Sequence, residues 1–145
     1  MGNHSITHPY FTKLTDAQLR DEVLGAETTI KEVTGSSTRP FFRFPYGDRD
    51  TRTIRLVNEA GYGSFRWTVD TLGWKGTSGD MTATLVIDRV MDTARPGQIV
   101  LLHVGSHPTD RSTLDADALP EIIEQLHAQG YRFITLTEAL TIAGD

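Results

Sequence analysis

The chain predicts an α/β fold with mainly parallel strands, and three observations predict it. Helix-period and strand-period segments alternate along 145 residues, with no low-complexity linker and no internal repeat. Helical segments are closed by glycine, at Gly35, Gly61, Pro96-Gly97 and Gly130. Gln98–His103 contains the run Ile-Val-Leu-Leu, the continuous apolar pattern of a buried parallel strand.

The elements follow in order. Residues 15–34 read as a helix: Thr15 and Gln18 form a capping box, Leu19, Val23, Ala26, Ile30 and Val33 recur at steps of three and four, and Gly35 sits at the C-terminal cap. Phe41–Phe44 is short and aromatic, hence a strand, and residues 50–60 form a second helix. Tyr62–Val69 alternates through Phe65, Trp67 and Val69 and reads as a strand with Trp67 in the core. A third helix covers 81–94, the Gln98–His103 strand follows, and a loop rich in Ser, Thr, Asp and Pro spans 104–113. Helix 115–129 carries Leu119, Ile122, Ile123 and Leu126 as core, and Tyr131–Leu136 and 137–142 read as a last strand and helix. Residues 1–145 are expected to form a single domain, long enough to bury a core.

Composition excludes several classes of function. A net charge of −5 leaves no excess of cations for phosphates, so nucleic acid is not a partner. No run approaches the roughly 20 apolar residues of a membrane span, and no signal segment is visible. Zero cysteines exclude thiol catalysis and Cys-ligated zinc.

The polar candidates fall at strand ends: Arg43 to Tyr46 after one strand, Asp70 after the next, His103 at the end of the third. In α/β proteins the C-terminal edge of the strands is where sites are built, so these residues are expected on one rim. His4 and His8, four apart, suit one metal ion in a helix or tight turn. Arg43, between Phe42 and Phe44, reads as a buried, directed guanidinium. Asp70 is either a turn residue ahead of Thr71 or the carboxylate that holds the His103 imidazole, as in a triad. Trp74, flanked by Gly73 and Lys75, suits a sugar-stacking or pocket-wall role, and His107 a place on the rim. Asp48 and Asp50, past the Pro-Tyr-Gly turn, are further carboxylates in reach of the same rim.

Taken together, His4-Ser-Ile-Thr-His8, Arg43-Phe-Pro-Tyr46, Asp70-Thr-Leu-Gly-Trp74 and Leu101-Leu-His103 resemble, in order and residue type, the motifs of the polysaccharide deacetylase family. These are the NodB homology domains of carbohydrate esterase family 4, and the resemblance runs from residue 1 to about 140. It implies part of a distorted (β/α) barrel missing the family's first strands and their Thr-Phe-Asp-Asp-Gly motif, for which the three residues ahead of His4 leave no room. It further implies metal-dependent removal of acetyl groups from a polysaccharide, an N-acetylglucosamine polymer such as peptidoglycan or chitin foremost, in a cell-wall or extracellular setting. In that scheme His4, His8 and an aspartate of the upstream motif hold a divalent metal, zinc first, with cobalt, manganese or nickel suited to the same ligands. Arg43 orients the catalytic aspartate, the Tyr46 N–H helps hold the oxyanion, and His103 is the general acid. Pro45, Tyr46 and Trp74 contact the sugar. The family often places a second acid directly before the tryptophan, where this chain has Gly73. The other reading is a truncated or degenerate domain that binds carbohydrate without turnover. Missing strands would leave a sheet edge bare, and such an edge predicts a homo-oligomer.

Overall fold

A computed structural model describes residues 1–144, and the chain falls into two compact units, Met1–Arg66 and Trp67 onward.

The first unit is built around helix α1 (Asp16–Thr34). Its expected ends are both present. Thr15 and Gln18 cap each other's backbone N–H groups, and Gly35 adopts φ 72°, ψ 0°, the left-handed conformation that costs glycine little, while its N–H closes on Lys31 O. Strand β1 (Phe41–Phe42) pairs in parallel with β2 (Gly63–Ser64). Between them lies helix α2 (Thr51–Glu59), whose first turn is capped by Asp50 on Thr53. The core joins Leu19 and Val23 of α1 to Phe11, Phe42, Phe44 and Leu56. The free side of β1 is not bare. The Asn3 N–H donates to Phe41 O at 2.8 Å and the Arg43 N–H to Asn3 O at 3.0 Å, forming a parallel bridge from Asn3 to Phe42. N-terminal backbone thus occupies one edge that would otherwise offer unpaired groups.

The second unit pairs β3 (Val69–Asp70) with β4 (Val100–Leu101), again in parallel. The unit also contains helices α3 (Ala83–Met91), α4 (Leu114–Ala128) and α5 (Leu136–Gly144), and α3 lies against β3. α3 and α4 pack through Val86, Val90, Leu114, Ala118 and Ile122.

Several expectations are corrected. Tyr62–Val69 is not one strand. Its ends join different partners, β2 on β1 and β3 on β4, with no ladder across 65–68, although Phe65, Trp67 and Val69 remain more buried than Arg66 and Thr68. Phe41–Phe44 and Gln98–His103 shorten to two paired residues each. Tyr131–Leu136 is not a strand; Phe133 and Ile134 are exposed, among the described residues no strand pairs with them, and α5 begins at Leu136. Apolar alternation without a ladder partner does not stabilise a strand. On α1 the buried stripe stops at Ala26 and Glu27, leaving Ile30 half-buried and Val33 exposed. On α4 the buried stripe runs Leu114, Ala118, Ile122, Leu126 at steps of four, while Leu119 and Ile123 face outward.

Candidate functional site

In the first unit the His4–His8 segment is a tight turn rather than a helix. Buried Asn3 anchors it, donating from Nδ2 to Val23 O (2.8 Å) and Tyr62 Oη (3.2 Å) and accepting the Ser5 N–H at 3.0 Å. The Ser5 hydroxyl accepts the His8 N–H at 3.1 Å. Glu22 of α1 gathers the Ile6 and Thr7 N–H groups, both at 2.9 Å, and the Thr7 hydroxyl at 2.6 Å. Burial alone would raise the Glu22 carboxyl, but the bonds from Thr7 and Ile6 outweigh it and hold its pKa below the ordinary value.

This turn aims the two imidazoles at each other. His4 Nδ1 lies 2.6 Å from Arg43 O, so it carries the proton and donates it, which leaves His4 Nε2 as the acceptor nitrogen. His8 Nε2 is 3.2 Å from His4 Nε2. Two nitrogens bound to one tetrahedral zinc at about 2.05 Å would lie about 3.3 Å apart. The pair therefore has the bite of two ligands on one ion, with the carbonyl-fixed tautomer typical of metal-binding histidine. Among the described residues no group of three or more His, Cys, Asp or Glu side chains is placed to complete a metal site.

The Pro45–Gly47 turn stands beside this pair. Its hydrogen bonds run from the Gly47 N–H to Phe44 O and from the Asp48 N–H to Pro45 O, both at 3.0 Å, so the turn does not use the Tyr46 N–H. Tyr46 sits at φ 57°, ψ 2°, a left-handed conformation that is uncommon without glycine. Its ring meets His8 edge-on at 4.5 Å and stacks on Tyr10 at 4.2 Å. Pro45 is buried beneath. Arg43 is half-buried, and desolvation lowers its pKa without neutralising it. Among the described residues its guanidinium forms no ion pair. Asp48 and Asp50 are engaged elsewhere, Asp48 with the Thr12 N–H and hydroxyl (2.8 and 2.9 Å) and Asp50 as the cap of α2.

In the second unit the Asp70–Trp74 turn leads from β3 to a cavity of about 160 Å³, lined among others by Trp74, His103, His107, Pro108 and Asp115. The Asp70 carboxylate accepts the Leu72 N–H at 3.0 Å and the Trp74 indole N–H at 3.3 Å. It is the turn residue of the two readings offered by the sequence, and it steers the half-exposed Trp74 ring. The carboxylate against His103 is instead Asp115, from the first turn of α4. Asp115 Oδ2 accepts the His103 N–H at 2.7 Å and lies 3.5 Å from His103 Nδ1, while Oδ1 accepts the Thr71 hydroxyl at 2.7 Å. His107 turns to Asp110, 3.2 Å from its Nδ1.

Sequence reasoning missed Asp115, which reads there as an acid suited to a helix N-terminus. The available signal was Gly73, a glycine where an acid is common. A Cβ at Gly73 would lie 2.0 Å from Asp115 Oδ1. Backbone strain marks the same segments: of the six non-glycine residues with positive φ among the described residues, four (Ser5, His8, Tyr46, Leu72) lie in or beside the candidate motifs.

Residues 1–65 match the family model described as Polysaccharide deacetylase. The chain is 32% identical over 136 residues to a peptidoglycan-N-acetylglucosamine deacetylase of Bacillus cereus, covering 94% of this chain and 47% of that protein. A solved peptidoglycan N-acetylglucosamine deacetylase, in complex with an N-oxidanyl-benzamide, superposes with a TM-score of 0.84 at 30% identity, over 94% of this chain and 61% of that one. A family 4 pseudoenzyme from Bacillus anthracis superposes with a TM-score of 0.79 at 32% identity, over 94% of this chain and 44% of the other. The chain thus spans about half the length of the relatives it matches.

Proposed function

We propose that this chain, which belongs to the polysaccharide deacetylase family, is part of a hydrolase that removes acetyl groups from an N-acetylglucosamine polymer, peptidoglycan or chitin, at the cell wall or outside the cell. The observation that carries this reading is the His4–His8 pair, whose Nε2 atoms stand 3.2 Å apart. Two ring nitrogens with one tautomer fixed by a carbonyl fit a divalent metal, zinc first and cobalt, manganese or nickel after it. Such an ion, when bound, would polarise an acetyl carbonyl and acidify water.

The chain's own residues supply the rest. The half-buried Arg43 guanidinium is poised to hold an anion. The Tyr46 N–H is a preorganised donor for an oxygen that gains charge as the carbonyl is attacked. His103 gives a proton to the departing amine nitrogen as the C–N bond breaks, so that one water is consumed and acetate and an amine are formed. Tyr46 and Pro45 in the first unit, and Trp74 in the second, each offer ring or apolar surface to a sugar. Among the described residues no helix is long and apolar enough to cross a membrane.

The test is acetate release from N-acetylglucosamine oligomers and from peptidoglycan by the full-length protein with zinc added. His103→Ala should lower kcat by about 10²–10⁴-fold with little change in KM. Unchanged turnover removes His103 from the mechanism.

A second reading, carbohydrate binding without turnover, is favoured by the absence of a third metal ligand among the described residues and by the likeness to a pseudoenzyme. It predicts sugar-dependent quenching of Trp74 fluorescence with no acetate released.

A further inference from the structure

We infer that Asp115, reaching from α4 into the space that Gly73 leaves open, is the carboxylate that positions the His103 imidazole. The inference rests on the deacetylase reading only for what His103 does, not for how it is held.

Three observations carry it. First, Asp115 is 4% exposed, and both its oxygens are held: Oδ1 accepts from the Thr71 hydroxyl and Oδ2 from the His103 N–H, with His103 Nδ1 3.5 Å from Oδ2. The same oxygen thus fixes the backbone of residue 103 and faces the near side of its ring. The ring separation exceeds that of a formed hydrogen bond, as is common for catalytic pairs without substrate. Second, Asp70 accepts the Leu72 and Trp74 N–H groups on Oδ1, and among the described residues the His103 ring pairs with Asp115 and not with Asp70. Third, a Cβ at position 73 would lie 2.0 Å from Asp115 Oδ1 and 2.6 Å from its Cγ, so a side chain there and the Asp115 carboxylate exclude each other. Gly73 is the vacancy, and Asp115 fills it from another element of the fold.

Burial alone would raise the Asp115 carboxyl. The His103 ring, the Thr71 hydroxyl and the His103 N–H outweigh it, so the group is held below the ordinary carboxylate value and stays ionised. An ionised oxygen beside Nδ1 favours the neutral tautomer with its proton on Nδ1. His103 reaches that form when it surrenders the Nε2 proton to a leaving group. Asp115 is therefore a positioning residue; it touches the imidazole, not the substrate.

Imidazole ¹⁵N chemical shifts report which ring nitrogen holds the proton and need no substrate. In the unaltered protein, neutral His103 should be protonated on Nδ1. Asp115→Ala should move it to the Nε2-protonated form that free imidazole prefers, Asp70→Asn should leave it on Nδ1, and the double variant Gly73→Asp with Asp115→Ala should bring it back. In acetate release, Asp115→Ala should lower kcat by about 10²-fold with KM within about threefold, and the double variant should recover much of the loss. Nε2 protonation in the unaltered protein, or Nδ1 protonation surviving Asp115→Ala, overturns the inference. The tautomer pattern without any acetate release leaves the positioning intact and removes the deacetylase reading.

Discussion

Replacing Gly73 by alanine tests the packing at the centre of this site. The added methyl carbon would stand 2.0 Å from Asp115 Oδ1, far inside any permitted contact. The neighbour cannot yield cheaply, since Asp115 is buried and tied by two bonds of 2.7 Å, to a Thr71 hydroxyl with 0% exposure and to the His103 N–H. Rotating the carboxylate away breaks both bonds and leaves both donors without an acceptor. Hydrogen bonds to a charged group contribute about 1.5–3 kcal/mol each. Backbone movement that spares them carries the cost of an overpacked core, about 1–3 kcal/mol. Relaxation takes the less costly path, so the destabilisation should be about 1–3 kcal/mol.

Urea unfolding followed by tryptophan fluorescence suits the measurement, because both tryptophans, Trp67 and Trp74, belong to the second unit. With a slope of about 2 kcal/mol/M the midpoint should fall by about 0.5–1.5 M at unchanged slope. The clash makes the effect non-additive: Asp115→Ala should cost far less in the Gly73→Ala background than alone, with a coupling of about 2 kcal/mol. Gly35→Ala is the contrast. Nothing lies within 4 Å of a Cβ there, and only the positive φ opposes it, at about 1 kcal/mol. A Gly73→Ala protein within about 0.5 kcal/mol of the parent, or additive with Asp115→Ala, would refute the reasoning.

Three more outcomes are expected. Glu27, buried on α1, accepts from the Thr38 hydroxyl, Ser37, the Thr38 N–H and Tyr62 and pairs with Arg39; chiefly through Thr38 its pKa falls from 4.5 to about 2. A lowered pKa contributes stability that is complete above about 4.5 and lost as pH falls toward 2, so Glu27→Gln should cost roughly 2–3 kcal/mol at pH 7 and flatten acid unfolding between pH 5 and 2, as read by circular dichroism. Zinc binding by calorimetry should be abolished by His4→Ala or His8→Ala; tight binding that survives both removes the pair from metal chemistry. Glu22→Ala should weaken zinc by about 10–100-fold by releasing the Ile6 and Thr7 N–H groups, and an unchanged affinity would show that the turn holds its shape without Glu22.

Helices were legible in the sequence because their signals are local. The Thr15–Gln18 box, the Gly35 cap and the buried Leu19, Val23 and Ala26 depend only on neighbours within a few residues. Strands were legible as apolar segments but not as ladders, because pairing is settled by a partner far along the chain: Phe41 meets Gly63, and Val69 meets Val100. Tyr131–Leu136 has a strand's composition and no partner, so it remains irregular. Glu27 was invisible for a related reason. Its position fits the apolar face of α1, and only Ser37, Thr38 and Tyr62, distant in sequence, make a buried carboxylate tolerable there.

The site divides along the same line. His4 and His8 were legible as a pair because four residues of chain keep two rings together, and the tight turn that joins them reaches the same result as a helix would. Asp70 and Asp115 show the opposite case. By sequence distance, Asp70 belongs to a recognisable turn and Asp115 is one of two acids in the first turn of a helix, where the dipole alone explains them. What separates them is volume. A carboxylate needs an empty place beside the imidazole, and Gly73, whose side chain is a single hydrogen, leaves room for that of Asp115. An acid lost from one element and regained from another keeps the chemistry while erasing the spacing by which a motif is recognised. A glycine at an expected acidic position is therefore a reason to ask which distant carboxylate can enter the space, and in this chain the answer is the residue 42 positions later, on α4.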